Sequence, residues 1–232
     1  AGCIFKNHGI WDPETSKLLI PNYFHRPPSV DVPVDYTYFA NNQFKDFYSR
    51  HKKVVRDEHA DAFVFIQSPV LEVPPMFINL GLVDLKTVYC PHYYDGMSLM
   101  FKTWNTKYNV DTLGIMRGKY VNPVLGIVFG ERSIRNCIRD QFQEIRTECN
   151  TNIGQIPMLM LETGMPFDMN DKSAYKVGRY YPQTGGLDAL LWALEGAKLN
   201  HTYWTYCLQN EHHLGHCWNN EDFSFWQPED RS

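Results

Sequence analysis

Residues 157–164 read Pro157-Met158-Leu159-Met160-Leu161-Glu162-Thr163-Gly164, an apolar run that ends abruptly in a carboxylate and a glycine. An apolar run without polar alternation is typical of a strand covered on both faces, as in a parallel sheet flanked by helices. In such sheets the chemistry collects at the carboxyl ends of the strands. The run therefore predicts a buried strand that delivers Glu162 to a site. The alternative is a loop glutamate that makes an ordinary hydrogen bond.

Predicted strands and helices alternate on both sides of this run. Short apolar strands are predicted at 62–66, 87–90 and 202–208. Apolar residues at helical spacing predict helices from Asp35 to near His59, and over 133–149 and 187–194. The segments 1–34 and 97–130 are predicted to be long loops. This alternation favours an α/β fold with parallel strands.

Polar side chains follow the predicted strands: Glu72, His92, Tyr94, Glu162 and Asn210. A (β/α)8 TIM barrel explains this better than a small open sheet, because barrel enzymes build their sites at the carboxyl ends of the strands. A complete barrel has eight strands in about 250 residues. We therefore expect residues 1–232 to form one partial barrel domain, the second half (strands 5 to 8), with four strands missing upstream.

The composition narrows the class of protein. The chain has 232 residues, a formal net charge of -4 and 15% aromatic residues. Lysine and arginine are scattered, which argues against a nucleic-acid partner, and aromatic residues suit a sugar or lipid cleft or simply a core. The six cysteines show no disulfide framework and are expected to be reduced, which favours a cytoplasmic location. No signal peptide or transmembrane segment is apparent.

Three side chains are expected to meet at one edge of the sheet. His92 and Tyr94 follow one predicted strand and Glu162 follows the next. A histidine and a tyrosine can hold a carboxylate ionised and pointed at a substrate carbon. The structural alternative is a histidine and a tyrosine that satisfy loop carbonyl groups.

The residues around these positions resemble glycoside hydrolase family 5, in its endoglycoceramidase-related branch of fungal glucosylceramidases and steryl-glucoside glucosidases. The resemblance rests on His92-Tyr93-Tyr94-Asp95, on residues 161–169 (Leu-Glu-Thr-Gly-Met-Pro-Phe-Asp-Met) and on residues 218–224 (Trp-Asn-Asn-Glu-Asp-Phe-Ser). It implies a retaining β-glycosidase that acts on a glycolipid such as glucosylceramide or steryl glucoside, without a metal or other cofactor. Transient contact with a membrane surface would give access to such a substrate.

The resemblance also implies roles for individual residues. Glu162 would be the nucleophile, and His92 and Tyr94 would position it and the substrate. Asn210 and Trp218 would contact the sugar, with Trp204 competing with Trp218 for the aromatic platform.

One catalytic group of the family is missing from this sequence. Retaining chemistry needs two carboxyl groups about 5 to 5.5 Å apart, and the family's acid/base glutamate belongs in an Asn-Glu pair after strand four. The pair Asn210-Glu211 follows the last predicted strand instead, so its spacing marks it as a coincidence. The β-sandwich often found after the barrel is absent too. The chain opens Ala1-Gly2-Cys3 without an initiator methionine, and we expect a fragment that is inactive and folds poorly alone, unless Glu72 or Glu211 serves as the acid.

Two other functions compete with this hypothesis. The first is a zinc-binding protein that uses the cluster Cys207, His212, His213, His216 and Cys217, in which two histidines are four residues apart. Gly215 disfavours the helix that such a site would need. The second is a non-catalytic carbohydrate-binding or scaffold protein that uses the same cleft.

Overall fold

The computed structural model describes residues 2–230, and within them the chain forms short strands joined by helices and loops. The strands are β1 (Trp11–Asp12), β2 (Lys17–Leu18), β3 (Val64–Ile66), β4 (Thr87–Tyr89), β5 (Tyr108–Val110), β6 (Ile127–Phe129), β7 (Leu159–Thr163) and β8 (Asn200–Tyr203). The α-helices are α1 (Ile4–Asn7), α2 (Tyr36–Phe39), α3 (Lys45–Glu58), α4 (Gly96–Phe101), α5 (Thr112–Met116), α6 (Glu131–Asn152), α7 (Met169–Val177) and α8 (Tyr181–Gly196). A π-helical turn (Ala40–Phe44) and two 3₁₀ turns (Pro123–Gly126 and Pro228–Asp230) complete the elements.

The main sheet is parallel and follows the order of the chain. β3 pairs with β4, and β7 pairs with β8. Two isolated parallel bridges, Tyr89 to Met158 and His92 to Glu162, join β4 to β7. The sheet order is therefore β3-β4-β7-β8, which confirms the predicted α/β fold, and the sheet does not close on itself within residues 2–230. The other strands form two antiparallel pairs, β1 with β2 and β5 with β6.

Helices α6 and α8 cover the sheet. The predicted apolar spacing of α6 is confirmed, because Ile134, Ile138, Phe142, Ile145 and Cys149 are all buried. The ring of Phe142 meets the ring of Tyr93 edge-on at 4.6 Å between centroids. Burial of this apolar stripe against the strands is what holds an amphipathic helix of this length in place.

The predicted helix after Asp35 is confirmed, with an irregularity inside it. The Asp35 side chain accepts a hydrogen bond from the backbone N–H of Tyr38 at 2.7 Å and so caps α2. The π-helical turn then leads into α3, which ends at Glu58. Phe44 and Tyr48 stack on Phe77, with ring centroids 6.3 and 5.2 Å apart.

Several predicted boundaries are wrong. The segment 97–130 is not an unstructured loop, because it contains most of α4, all of α5 and the β5–β6 pair. The last strand is not 202–208 but Asn200–Tyr203. It ends because Thr205 turns to pair with the C-terminal segment, donating to the carbonyl of Phe223 at 3.0 Å and accepting from Phe225 N–H at 3.0 Å.

Burial of the strands and cysteines differs in part from the sequence prediction. Met160 is fully buried in β7, whereas Leu159 and Leu161 are half-buried. The six cysteines are free thiols, of which Cys90 is buried directly after β4. Cys207 is not in a strand and is half-buried, because the chain has already left the sheet at Thr205. No helix within residues 2–230 combines the length and the apolar character needed to cross a membrane.

Candidate active site

Glu162 is the second-last residue of β7 and lies beside the loop that follows β4. Its carbonyl accepts from the N–H of Tyr93 at 3.0 Å, and Leu161 N–H donates to the carbonyl of Pro91 at 3.0 Å. These bonds extend the β4–β7 pairing past the end of β4. Parallel pairing therefore carries His92 and Tyr94 to the level of Glu162, as the sequence predicts.

Two side chains contact the two oxygens of the Glu162 carboxylate. The hydroxyl of Tyr94 donates to Oε1 at 2.7 Å. The Nδ1 atom of His92 lies 3.6 Å from Oε2. Burial, followed by the contact with Glu162, raises the pKa of Tyr94 well above its usual value, so the phenol keeps its proton and donates. The carboxylate is thus held through Oε1 by Tyr94, while His92 faces Oε2 beyond hydrogen-bonding distance.

The loop that carries Tyr94 is fixed by Asp95. Its buried carboxylate caps α4 by accepting from the N–H and hydroxyl of Ser98 at 2.8 and 2.7 Å. It also accepts from the amide of Asn109 at 2.9 Å. Burial raises the pKa of Asp95, against the effect of these hydrogen bonds. A cap and a cross-link on one residue leave the neighbouring Tyr94 little freedom to move.

Phe223 and Trp204 form a wall beside this pair. The Phe223 ring is buried and packs edge-on against Tyr94 at 5.4 Å between centroids. Trp204 directly follows β8, and its N–H donates to the carbonyl of Thr163 at 2.9 Å. The Trp204–Thr205 peptide is cis. A methyl group on Gly164 would lie 2.5 Å from the Trp204 carbonyl oxygen and 3.3 Å from the Phe223 ring, so glycine is required for this close approach.

His216 joins the two parts of the wall. Its Nε2 atom faces the indole N–H of Trp204 at 3.2 Å, and its Nδ1 atom faces the N–H of Phe223 at 3.3 Å. A neutral imidazole has one acceptor nitrogen, so His216 accepts a hydrogen bond from only one of these two N–H groups. Elsewhere in the proposed zinc cluster, the His212 ring stacks on Tyr175 at 4.0 Å between centroids. Within residues 2–230 no three histidine, cysteine or carboxylate side chains converge as a metal site would require.

Asn210 lies behind the wall rather than in the cleft. Its side chain is 1% exposed and donates to the carboxylate of Asp222 at 3.2 Å. Asp222 also accepts from the Tyr175 hydroxyl at 2.6 Å and from Ser224 N–H at 3.1 Å. The contact that the structure shows for Asn210 is therefore structural, and its contact with a sugar stays a prediction.

Trp218 and Trp204 border one open cleft of about 550 Å³. Trp204 is joined to β7 by its hydrogen bond to Thr163, whereas Trp218 is 60% exposed on a turn. Glu162, His92 and Tyr94 are not among the residues that line this cleft. Tyr206, Leu208 and His216 also line this cleft. A larger groove of about 780 Å³ runs along α6 and contains none of the predicted site residues.

The sequence predicted the carboxylate and its two partners but did not place Phe223 and His216 beside them. Phe223 was named only within the family motif, and His216 only as a candidate zinc ligand. Both belong to the segment that folds back over Trp204, about 60 residues beyond Glu162. No alternation along the sequence marks this segment, because Asp222, Phe223 and Ser224 are all buried whereas Phe225 is 43% exposed.

Two curated fungal proteins are similar to this chain over nearly its whole length. An ergosteryl-β-glucosidase from Saccharomyces cerevisiae is 44% identical over 233 residues, which cover 99% of this chain and 30% of that protein. A glucosylceramidase from Aspergillus fumigatus is 41% identical over 229 residues, covering 98% of this chain and 30% of that protein. The chain therefore spans about a third of the length of the curated relatives it matches. No protein-family model matches the chain.

A solved structure shows the same fold. The crystal structure of Cryptococcus neoformans sterylglucosidase 1 with tris superposes with a TM-score of 0.84 at 33% sequence identity. The match covers 99% of this chain and 32% of that chain. A second structure of that protein, with a compound named hit 1, gives a TM-score of 0.86.

Proposed function

We propose that this chain, a member of the endoglycoceramidase-related branch of glycoside hydrolase family 5, carries the nucleophile of a retaining β-glucosidase that hydrolyses glycolipids. The observation that carries the proposal is the carboxylate of Glu162, held by Tyr94 at 2.7 Å on one oxygen and facing His92 at 3.6 Å on the other. A carboxylate fixed at the end of a parallel strand is the arrangement that nucleophilic attack on a sugar requires.

The reaction needs a second carboxyl group. An oxygen of Glu162 attacks the anomeric carbon, and the bond from that carbon to the aglycone oxygen breaks. The leaving oxygen takes a proton from a carboxylic acid about 5 to 5.5 Å from the nucleophile, and water then releases the sugar with the same group acting as base. We assign this acid/base to the part of the relatives' length that lies outside this chain.

The order of the main sheet supports the same assignment. In a (β/α)8 barrel, consecutive parallel strands lie side by side in chain order, each followed by a helix. The order β3-β4-β7-β8 matches four successive barrel strands, with α6 in the β4–β7 connection and α8 in the β7–β8 connection. The β3–β4 connection departs from the pattern, because residues 67–86 contain no helix. We propose that they are strands 5 to 8, completed by the remaining strands of a longer protein.

The cleft bordered by Trp204 and Trp218 suits an apolar aglycone. Trp204, Tyr206, Leu208 and Trp218 line it, and the last three are largely exposed. Exposed apolar side chains beside a polar site are typical of a surface that receives a lipid. The relatives named as an ergosteryl-β-glucosidase and a glucosylceramidase agree with such a substrate, which the enzyme would reach by transient contact with a membrane surface.

The test uses the full-length protein with Glu162→Gln. The amide keeps the shape of the carboxylate but cannot attack carbon, so turnover of an aryl β-glucoside and of a glycolipid should fall by several orders of magnitude while binding persists. Glu195→Gln, on the exposed side of α8, is the control for loss of a carboxylate. Near-native turnover by Glu162→Gln would show that Glu162 is not the nucleophile.

A trapping experiment locates the covalent bond directly. A 2-deoxy-2-fluoroglucoside slows hydrolysis of the glycosyl-enzyme, and peptide mass spectrometry should find the sugar on residues 157–164. A sugar on another peptide contradicts the assignment. Binding of glucosides with no turnover and no trapped sugar would instead favour the non-catalytic carbohydrate-binding function.

A further inference from the structure

Glu221 is a carboxylate that the proposed mechanism does not use. It lies in the segment that walls the Tyr94–Glu162 pair, and its side chain is half-buried. Among the described residues no side chain or backbone group forms a hydrogen bond or ion pair with its carboxylate. Burial raises the pKa of Glu221, against the attraction of Lys102 and His216. A desolvated carboxylate without a partner is costly unless a ligand supplies hydrogen bonds.

The backbone of Glu221 is fixed on both sides. Its N–H donates to the carbonyl of Trp218 at 2.9 Å, and its carbonyl accepts from His216 N–H at 3.2 Å. Gly215, with a φ of 63°, lies so close that a methyl group there would overlap the Glu221 carbonyl oxygen. Such a double constraint places the side chain in one region rather than leaving it on a mobile loop.

The direction of the side chain follows from its neighbours. Asp222 points away from the cleft to Tyr175 and Asn210, whereas Phe223 points to Tyr94, at 5.4 Å between ring centroids. Glu221 lies two residues before Phe223, and its carbonyl accepts from the N–H of His216, whose ring faces Trp204, so this residue stands beside the wall formed by Phe223 and Trp204. Its charge also contributes to the raised pKa of Tyr94, behind burial and Glu162.

Lys102, the cation that most lowers the pKa of Glu221, already pairs with another carboxylate. The ammonium group of Lys102 pairs with the buried carboxylate of Asp168 and donates to the carbonyl of Asn220 at 3.2 Å. Lys102 therefore anchors the residue before Glu221 without neutralising Glu221 by contact. The carboxylate is left with its acceptor sites free, beside the wall that packs against Tyr94.

We propose that Glu221 binds the sugar ring by accepting hydrogen bonds from hydroxyl groups away from the anomeric carbon, and so sets the preference for glucose. This inference rests on the proposed function, since it assigns the sugar to the Tyr94–Glu162 site. A carboxylate offers two acceptor oxygens, and hydrogen bonds to a charged acceptor are about twice as strong as neutral ones. A site built to bind a hydroxyl group rejects analogues that lack it far better than an apolar pocket can.

The test measures sugar preference in the full-length protein, with Glu221→Gln and Glu221→Asp. The substrates are aryl β-glucoside and three analogues: the galactoside, the mannoside and the xyloside. Glu221→Gln should lower kcat/KM for the glucoside by about 10- to 100-fold, from the loss of charge-assisted hydrogen bonds. It should lower kcat/KM less for the analogue that lacks the bound hydroxyl. The proposal is overturned if the ratio of kcat/KM for the glucoside to that for each of the three analogues stays within about twofold of the wild-type ratio while the thermal midpoint is unchanged.

A binding measurement separates this inference from the proposed function. Calorimetry with an alkyl β-glucoside and the matching xyloside, galactoside and mannoside, in a Glu162→Gln background, requires no turnover. Glu221→Gln should reduce the affinity ratio of glucoside to at least one analogue, while Glu195→Gln should leave every ratio unchanged. If the wild-type protein binds but does not hydrolyse, the proposed function fails while the affinity ratios still decide the role of Glu221. If the protein binds none of the four glycosides, both the proposed function and the role of Glu221 are overturned.

Discussion

Tyr93 and Tyr94 are adjacent in sequence, yet their hydroxyl groups meet opposite surroundings. The Tyr94 hydroxyl donates to Glu162, whereas the Tyr93 hydroxyl is buried and has no hydrogen-bond partner among residues 2–230. A buried polar group without a partner costs about 1–3 kcal/mol. The two residues therefore form a natural pair for separating the effect of the hydroxyl on the site from its effect on folding.

Tyr94→Phe should lower kcat of the full-length protein by about 10- to 100-fold, because a hydrogen bond to a charged group contributes about 1.5–3 kcal/mol. Tyr93→Phe removes an unsatisfied hydroxyl from the core and should leave kcat unchanged while keeping or raising the thermal midpoint. Steady-state kinetics and thermal unfolding of both variants check this. An unchanged kcat in Tyr94→Phe would mean that the ring packing, rather than the Tyr94 hydroxyl, supports the site.

Gly164→Ala tests the close approach behind Glu162. The added methyl group must displace the Trp204 backbone or the Phe223 ring, and overpacking of this kind costs about 1–3 kcal/mol. We expect a lower thermal midpoint together with weaker binding of glucoside. Gly178→Ala is the control, because Gly178 has a φ of 63° and no heavy atom near the site of the new methyl group. It should lower stability through backbone strain alone and leave glucoside binding intact.

At the scale of elements, Asp84 joins α3 to the start of β4. Its carboxylate pairs with Lys52 at 2.8 Å and with Arg56 at 3.1 Å, and it accepts from Lys86 N–H at 2.9 Å. The hydrogen bond from Lys52 is the main cause that lowers the pKa of Asp84 to about 2. This junction holds the helix against the edge of the main sheet.

The lowered pKa of Asp84 predicts a pH dependence of stability. An unfolded aspartate titrates near pH 3.9, so the contribution is complete above about pH 4 and is lost as the pH falls towards 2. Asp84→Asn should therefore lower stability at neutral pH and flatten the dependence between these values. The side chain is 43% exposed, so solvent screening keeps the effect modest. Urea unfolding at pH 2, 4 and 7 checks it, and an unchanged pH dependence would contradict it.

The helices and strands show which elements can be predicted from the sequence and which cannot. The helical spacing of α6 and the cap at Asp35 are local signals, and both predict the observed elements. The meeting of Tyr94 with Glu162 was also predictable, because parallel strands bring their carboxyl ends together. The end of β8 was not, because it depends on Thr205 pairing with Phe223 and Phe225. No local pattern indicates such a distant partner. For the same reason the positions of His216 and Phe223 beside Trp204 could not be predicted.

At the scale of the whole molecule, one face of β3 is uncovered. Val64 and Ile66 are buried, while Phe63 and Phe65 on the opposite face are 59% and 52% exposed. Within residues 2–230, β3 pairs with a strand on one side only. An open strand edge with exposed aromatic side chains favours association with other chains.

Residues 1–232 expressed alone should therefore self-associate and hydrolyse no glycolipid. Light scattering should show species larger than the monomer, and Phe65→Lys should reduce their size, because a charge on an edge strand disfavours pairing. Slow release of the phenol from an activated aryl glucoside is compatible with the lack of glycolipid hydrolysis, because such a leaving group needs little protonation. Efficient cleavage of a glycolipid by a monomeric chain of this length would show instead that Glu72 or Glu211 supplies the acid.

The return of residues 221–225 over Trp204 also has a consequence for the order in which the protein is made. Phe223 is translated about 60 residues after Glu162, which corresponds to about 3–12 s at a synthesis rate of about 5–20 residues per second. During those seconds the nascent chain holds Tyr94 and Glu162 without the ring that packs against Tyr94. The pocket can therefore take its final shape only after this late segment has left the ribosome, however early β4 and β7 pair.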